Sequence, residues 1–129
     1  MMRAMCVAFL STLCCFPAMA DWRSLGDVGT AELFVDPASI VRTGDTVTMW
    51  SIYALKTPGT VGAATYVSLK RQDEFDCKDS RIRGIQIAAY PEPMAEGKAV
   101  SSEKGTAGWA AVTPQSTAEK LWKVACGKE

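Results

Sequence analysis

The alternation of apolar and polar positions divides the chain into a strand-rich body and one C-terminal helix. Asp21 to Gly26 reads as a short first strand, with Trp22 as its apolar anchor, and Ala31 to Val35 as a second. Asp36-Pro37-Ala38-Ser39 reads as a turn, with Asp36 capping and Pro37 preset for it. Ile40 to Thr43 begins a third strand, and Gly44-Asp45 leads tightly into Thr46 to Leu55. In that run Val47, Met49, Tyr53 and Leu55 share one parity, and Trp50 and Ile52 the other. A strand that is apolar on both faces is covered on both sides, which predicts a central place in the sheet.

Lys56 to Ala64, KTPGTVGAA, reads as a loop from its proline and glycines. Tyr66 to Cys77 is the longest strand candidate. Val67, Leu69, Phe75 and Cys77 share its core-facing parity, and Arg71 and Asp73 interrupt it, as a bulge would. Lys78-Asp79 turns the chain into Ser80 to Tyr90, where Ile85, Ile87 and Ala89 alternate, Ile82 is out of phase, and Gly84 marks the break. Pro91 to Lys98 is a second loop and Ala99 to Glu103 an edge strand. The last stretch, Thr113 to Cys126, predicts a helix. Thr113 is placed to cap it, Pro114 stands at its first position, and Gly127 follows its last periodic residue. Ala118, Leu121, Trp122 and Ala125 form one apolar stripe, while Glu119 and Lys123 pair on another face. Leu121 and Trp122 are therefore the residues expected to pack the helix onto the sheet. The order of elements predicts an α+β domain of five to six antiparallel strands with the helix on one face.

Composition narrows this picture. With 129 residues, 48% of them hydrophobic, the chain suffices for one domain. Residues 1–20 have the form of a secretory signal peptide, leaving 21–129 as a single domain. Arg3 is the charged start, Cys6 to Phe16 the apolar stretch, and Ala18-Met19-Ala20 the cleavage site. An uncleaved anchor is the poorer reading because the apolar stretch is short. A lipidated Cys14 or Cys15 is poorer too, because the residues before it do not suit a lipoprotein signal. No later run is long enough to be a transmembrane helix. An exported domain in the periplasm or at the cell surface follows.

Processing changes the cysteine count. Of five cysteines, Cys77 and Cys126 remain, in an oxidising compartment, and a disulfide between them is the simplest reading. It would tie the helix to the sheet. Losing Arg3 leaves 13 basic residues against 14 acidic ones, so no basic field exists to hold nucleic acid. The chain has no histidine, which removes the commonest general base and metal ligand. Asp73, Glu74, Asp76 and Asp79 cluster without the spacing of a calcium loop and read as a solvated charged hairpin. Ser101 and Ser102 lack a histidine or a nucleophile turn. Trp50 and Trp109 are candidates for a carbohydrate-stacking or peptide groove, with core packing as the plainer reading. No enzyme, cofactor or metal site is expected.

Four pieces, DWRSLG, LFVDPASIVRTGDTVTMW, EFDCKDSRIR and WAAVTPQSTAEKLWKVACG, carry a resemblance in their order and spacing. Together they span most of the chain after the leader. It resembles the surface-adhesin protein E family of exported proteobacterial proteins. The resemblance implies a bent antiparallel sheet with a C-terminal helix held to its concave side by a disulfide. It implies extracellular-matrix proteins as partners, and homodimers. The function expected is a non-catalytic envelope or surface binding module. The alternative is a periplasmic structural or accessory protein with no host partner.

Overall fold

The computed structural model describes residues 21–105 and 108–129. The leader predicted over residues 1–20 lies outside them. The strands are β1 Arg23–Asp27, β2 Ala31–Val35, β3 Val41–Thr43, β4 Thr46–Val61, β5 Ala64–Asp76, β6 Arg81–Tyr90, β7 Ser101–Lys104 and β8 Ala110–Ala111; the helix is α1 Thr117–Ala125. They form one antiparallel sheet in the order β1-β2-β4-β5-β6-β7. β3 and β2 follow each other along one edge of β4, and β8 and β7 share one edge of β6. The count exceeds the five to six expected because β3 and β8 are short pieces that share an edge with a longer strand.

The long β4 run is central, as its two apolar parities require. Val47 and Met49 lie on one face and Ile52 on the other, and all three are buried. The predicted loop Lys56–Ala64 is instead strand over most of its length. β4 continues to Val61, turns at Gly62-Ala63 and returns as β5. Between Ala54↔Ser68 and Gly59↔Tyr66 the register shifts, setting Leu55, Lys56, Thr57 and Pro58 against Val67 alone. Proline is tolerated in such a bulge because the ladder asks no N–H of it. Gly59 is required because any side chain there would overlap the Tyr66 ring. The residues that read as loop punctuation thus build a kinked hairpin. The second break falls in β6, where Ile85 is the extra residue between Gly84↔Asp73 and Gln86↔Gln72. That explains why Ile82 is out of phase with Ile87.

The helix begins later than its sequence predicts. Gln115 has φ +63° in the left-handed region, so Thr113 and Pro114 build a turn and not the first helical residues. Ser116 is the true cap; its Oγ accepts from the Glu119 backbone N–H at 3.1 Å. Glu119 reaches back to the Gln115 N–H at 3.3 Å, close to a capping-box arrangement. Lys123 pairs with Glu119 at 3.5 Å, and Gly127, at φ +67°, ends the helix.

α1 covers one face of the sheet. Leu121, Val124 and Ala125 pack with Leu33, Val35, Val47, Met49 and Phe75, all buried, in a single core. Trp122 lies half-buried at the margin, and its indole Nε1 donates to the Asp76 carbonyl at 2.9 Å. A disulfide joins Cys77, one residue beyond β5, to Cys126, one residue beyond α1, with Cα atoms 5.6 Å apart.

Candidate binding face

Strand register sorts the polar side chains onto two faces. Val47, Phe75 and Ile82 sit opposite one another on the helix side, as do Ser51, Arg71 and Ile87. This side also carries a buried ion pair. Asp73 is only 1% exposed and accepts from Arg71 at both nitrogens, Nη2 at 2.8 Å and Nε at 3.2 Å. The Arg71 guanidinium also lies 6.0 Å from the centre of the Tyr53 ring. Burial pushes the Asp73 carboxyl above its ordinary range, and the arginine pulls the other way. This pair is why two charged residues can interrupt a core-facing parity. The bulge expected there lies across the ladder in β6.

The opposite face is a ladder of aromatic and cationic groups. In successive rows across β4, β5 and β6 it presents Ile52↔Lys70↔Ala88, Trp50↔Gln72↔Gln86, Thr48↔Glu74↔Arg83 and Thr46↔Asp76↔Arg81. At one end Trp109, just before β8, lies beneath two guanidinium groups, 4.3 Å from Arg83 and 5.1 Å from Arg81. Each arginine is fixed from behind by an acid. Arg83 Nε donates to Glu74 at 2.6 Å, and Arg81 Nη2 to Asp76 at 2.7 Å. Asp76 also accepts the backbone N–H groups of Asp79 at 2.9 Å and Lys78 at 3.0 Å. Those bonds and Arg81 hold its carboxyl below the usual range. The four acids expected to form a solvated hairpin are therefore each placed near an arginine, and Asp73 and Asp76 are buried. None of them joins a group suited to a metal among the described residues.

At the other end of the ladder stands Lys70. Its ammonium lies 4.9 Å from the Trp50 ring centre and 5.9 Å from that of Trp22. The sequence singled out Trp50 and Trp109, read Trp22 only as a strand anchor and missed Lys70; the strand order β1-β2-β4-β5 and its register bring these last two together. The remaining sequence-predicted residues, Cys77, Cys126, Leu121 and Trp122, lie on the helix side and have a structural place.

The sequence matches the family described as Surface-adhesin protein E over residues 22–127. The chain belongs to the surface-adhesin protein E family. Membership makes it an exported protein of the envelope or surface, and no described helix is long and apolar enough to cross a membrane. No curated protein matches the chain by sequence. Its fold is that of Haemophilus influenzae protein E. Crystal form II of that protein aligns with a TM-score of 0.69 at 15% identity, covering 86% of this chain and 91% of the other. A second structure of Haemophilus influenzae protein E gives 0.68 at 16% identity, covering 87% and 91%. Protein E from non-typeable Haemophilus influenzae gives 0.67 at 15% identity, covering 86% and 78%. At that identity the likeness extends to the fold alone.

Proposed function

We propose that this protein is a non-catalytic surface binding module whose partner docks on the sheet face opposite the helix. The observation that carries the reading is the ladder itself: three of the chain's four tryptophans stand beside exposed or half-exposed cations on that face. Tryptophan and arginine are the side chains that most often dominate binding energy at protein interfaces. Here the arginines are held by Glu74 and Asp76, so little side-chain entropy is left to lose on docking. The helix side cannot serve in the same way, because α1 fills it. Extracellular-matrix proteins are the partners that family membership favours.

The test is biolayer interferometry of the folded domain, residues 21–129, on immobilised extracellular-matrix proteins. Binding should be saturable, and Trp109→Ala combined with Arg83→Gln should weaken it by about tenfold or more, as loss of an interface hot spot does. Lys120→Gln, on α1, should leave it unchanged. Loss of binding in the helix variant alone, or no binding by the parent domain, contradicts the reading. Brief protease treatment of intact cells should also remove the protein; its survival behind the outer membrane would place it out of a host partner's reach.

A further inference from the structure

Beside the Lys70 end of the ladder lies a small hollow of about 150 Å³. It is lined by Trp50 of β4, Lys70 of β5, Gln86, Ala88 and Tyr90 of β6, and Ser102 of β7. We infer that this hollow binds one hexuronic acid residue of a polysaccharide, with its carboxylate on Lys70. The inference deepens the binding-module reading and rests on it only for the choice of face.

Charge comes first. Among the described residues Lys70 has no carboxylate within ion-pair distance, whereas Lys56, Arg71, Arg81 and Arg83 each have one. Yet Lys70 is not a free surface lysine. Two indole rings hold its ammonium near one position, so the loss of side-chain freedom that weakens exposed lysine contacts is met in the unbound protein. Lys104 stands in the next row, opposite Gln86, and is also without an acid partner among the described residues. These two rows, from Ile52 to Ser102 and from Trp50 to Lys104, carry two cations and no acid. The complementary ligand is an anion.

The walls choose the kind of anion. Gln86 Nε2 donates to Gln72 Oε1 at 2.9 Å, which orients the Gln86 side chain and leaves its carbonyl to meet a hydroxyl group. The Tyr90 and Ser102 hydroxyls can each donate and accept. The Ala88 methyl lies between Lys70 and Ser102 in its row, and the Trp50 ring closes the β4 side of the hollow. A pyranose offers this same alternation, with hydroxyls around its rim and C–H groups on its faces. Size sets the number of units, because roughly 300–1,000 Å³ is usual for a drug-sized ligand and this hollow is smaller. It therefore takes one ring, and neighbouring sugars run out along the face. An acidic peptide would also satisfy Lys70 and could bond to the hydroxyls, but its backbone lacks the flat C–H faces that match the Trp50 ring.

The test is titration calorimetry of the folded domain at physiological ionic strength with three probes. A hyaluronan hexasaccharide supplies alternating glucuronate; chitohexaose supplies uncharged rings; hexaglutamate supplies carboxylates without sugar. The hexasaccharide should bind, and each control should bind about tenfold more weakly or not at all. Lys70→Gln should lower hexasaccharide affinity about tenfold without altering the melting temperature, and Lys104→Gln by a smaller factor. Equal binding of hexaglutamate overturns the inference in favour of a peptide or a bare electrostatic patch, as does an unchanged Lys70→Gln affinity. Matrix-protein binding with no hexasaccharide binding overturns it and leaves the binding-module reading standing. Lys70-dependent hexasaccharide binding with no matrix-protein binding leaves the sugar site standing and removes protein partners.

Discussion

Reducing the Cys77–Cys126 bond should lower the melting temperature sharply without splitting the transition. The two cysteines are 49 residues apart. Releasing a loop of that length returns roughly 4 kcal/mol of chain entropy to the unfolded state. Against a total stability of about 5–15 kcal/mol this is a large loss. At roughly 4 °C per kcal/mol for a domain of this size, the midpoint should fall by about 15 °C. Helix release could in principle come first, because α1 has only nine residues and would be marginal in water by itself. The packing opposes this. Leaving the sheet would uncover Leu33, Val35, Val47, Met49 and Phe75 together. Each such side chain gains about 1.5–3 kcal/mol from full burial, so even partial exposure of five approaches the whole stability of the domain. Helix release and unfolding are therefore one event. Calorimetry of the oxidised and reduced domain should show one transition in each. Hydrogen exchange should accelerate in α1, β4 and β5 together. Fast exchange confined to α1, with β4 and β5 still protected, would refute this reasoning.

Two further perturbations probe the interior. Leu121→Ala, at a side chain 2% exposed in the helix–sheet seam, should cost about 2–5 kcal/mol in urea unfolding of the oxidised domain. Arg71→Ala leaves the Asp73 carboxylate buried without its partner and should cost roughly 3 kcal/mol at neutral pH. Burial already raises the folded-state pKa of Asp73, and losing the arginine raises it further. A group with a raised folded pKa favours the fold below its unfolded value and loses that support as pH rises. The Arg71→Ala deficit should therefore shrink as unfolding is measured from pH 7 down towards the ordinary aspartate value of 3.8. A deficit independent of pH would mean that Asp73 finds another partner.

Period and punctuation made most of the fold legible in the sequence. The parity of Val47, Met49 and Phe75 marks the core face, and Leu121 and Trp122 mark the side of the helix that meets the sheet. What misled the reading was local chemistry with two uses. Pro58 and Gly59 punctuate loops, but here they form a bulge closed over by Tyr66. Thr113-Pro114 is a good helix start on paper, yet the left-handed Gln115 hands that role to Ser116. Asp73 reads as solvated, yet it is buried and paired with Arg71 two residues before it. The candidate site was only half legible. Its tryptophans could be picked out by type, whereas the unpaired state of Lys70 depends on which strands lie beside β5 and what they carry there.

A hydroxyl-radical footprint of the domain bound to an extracellular-matrix protein that it captures tests most directly which face of the sheet docks the partner. Trp50, Trp109 and Tyr90, on the face away from α1, should lose reactivity on binding, while Leu25 of β1 and Lys120 of α1, on the helix side, should keep theirs. Protection confined to the helix side, with the tryptophan ladder still fully reactive, would contradict docking on the face away from α1.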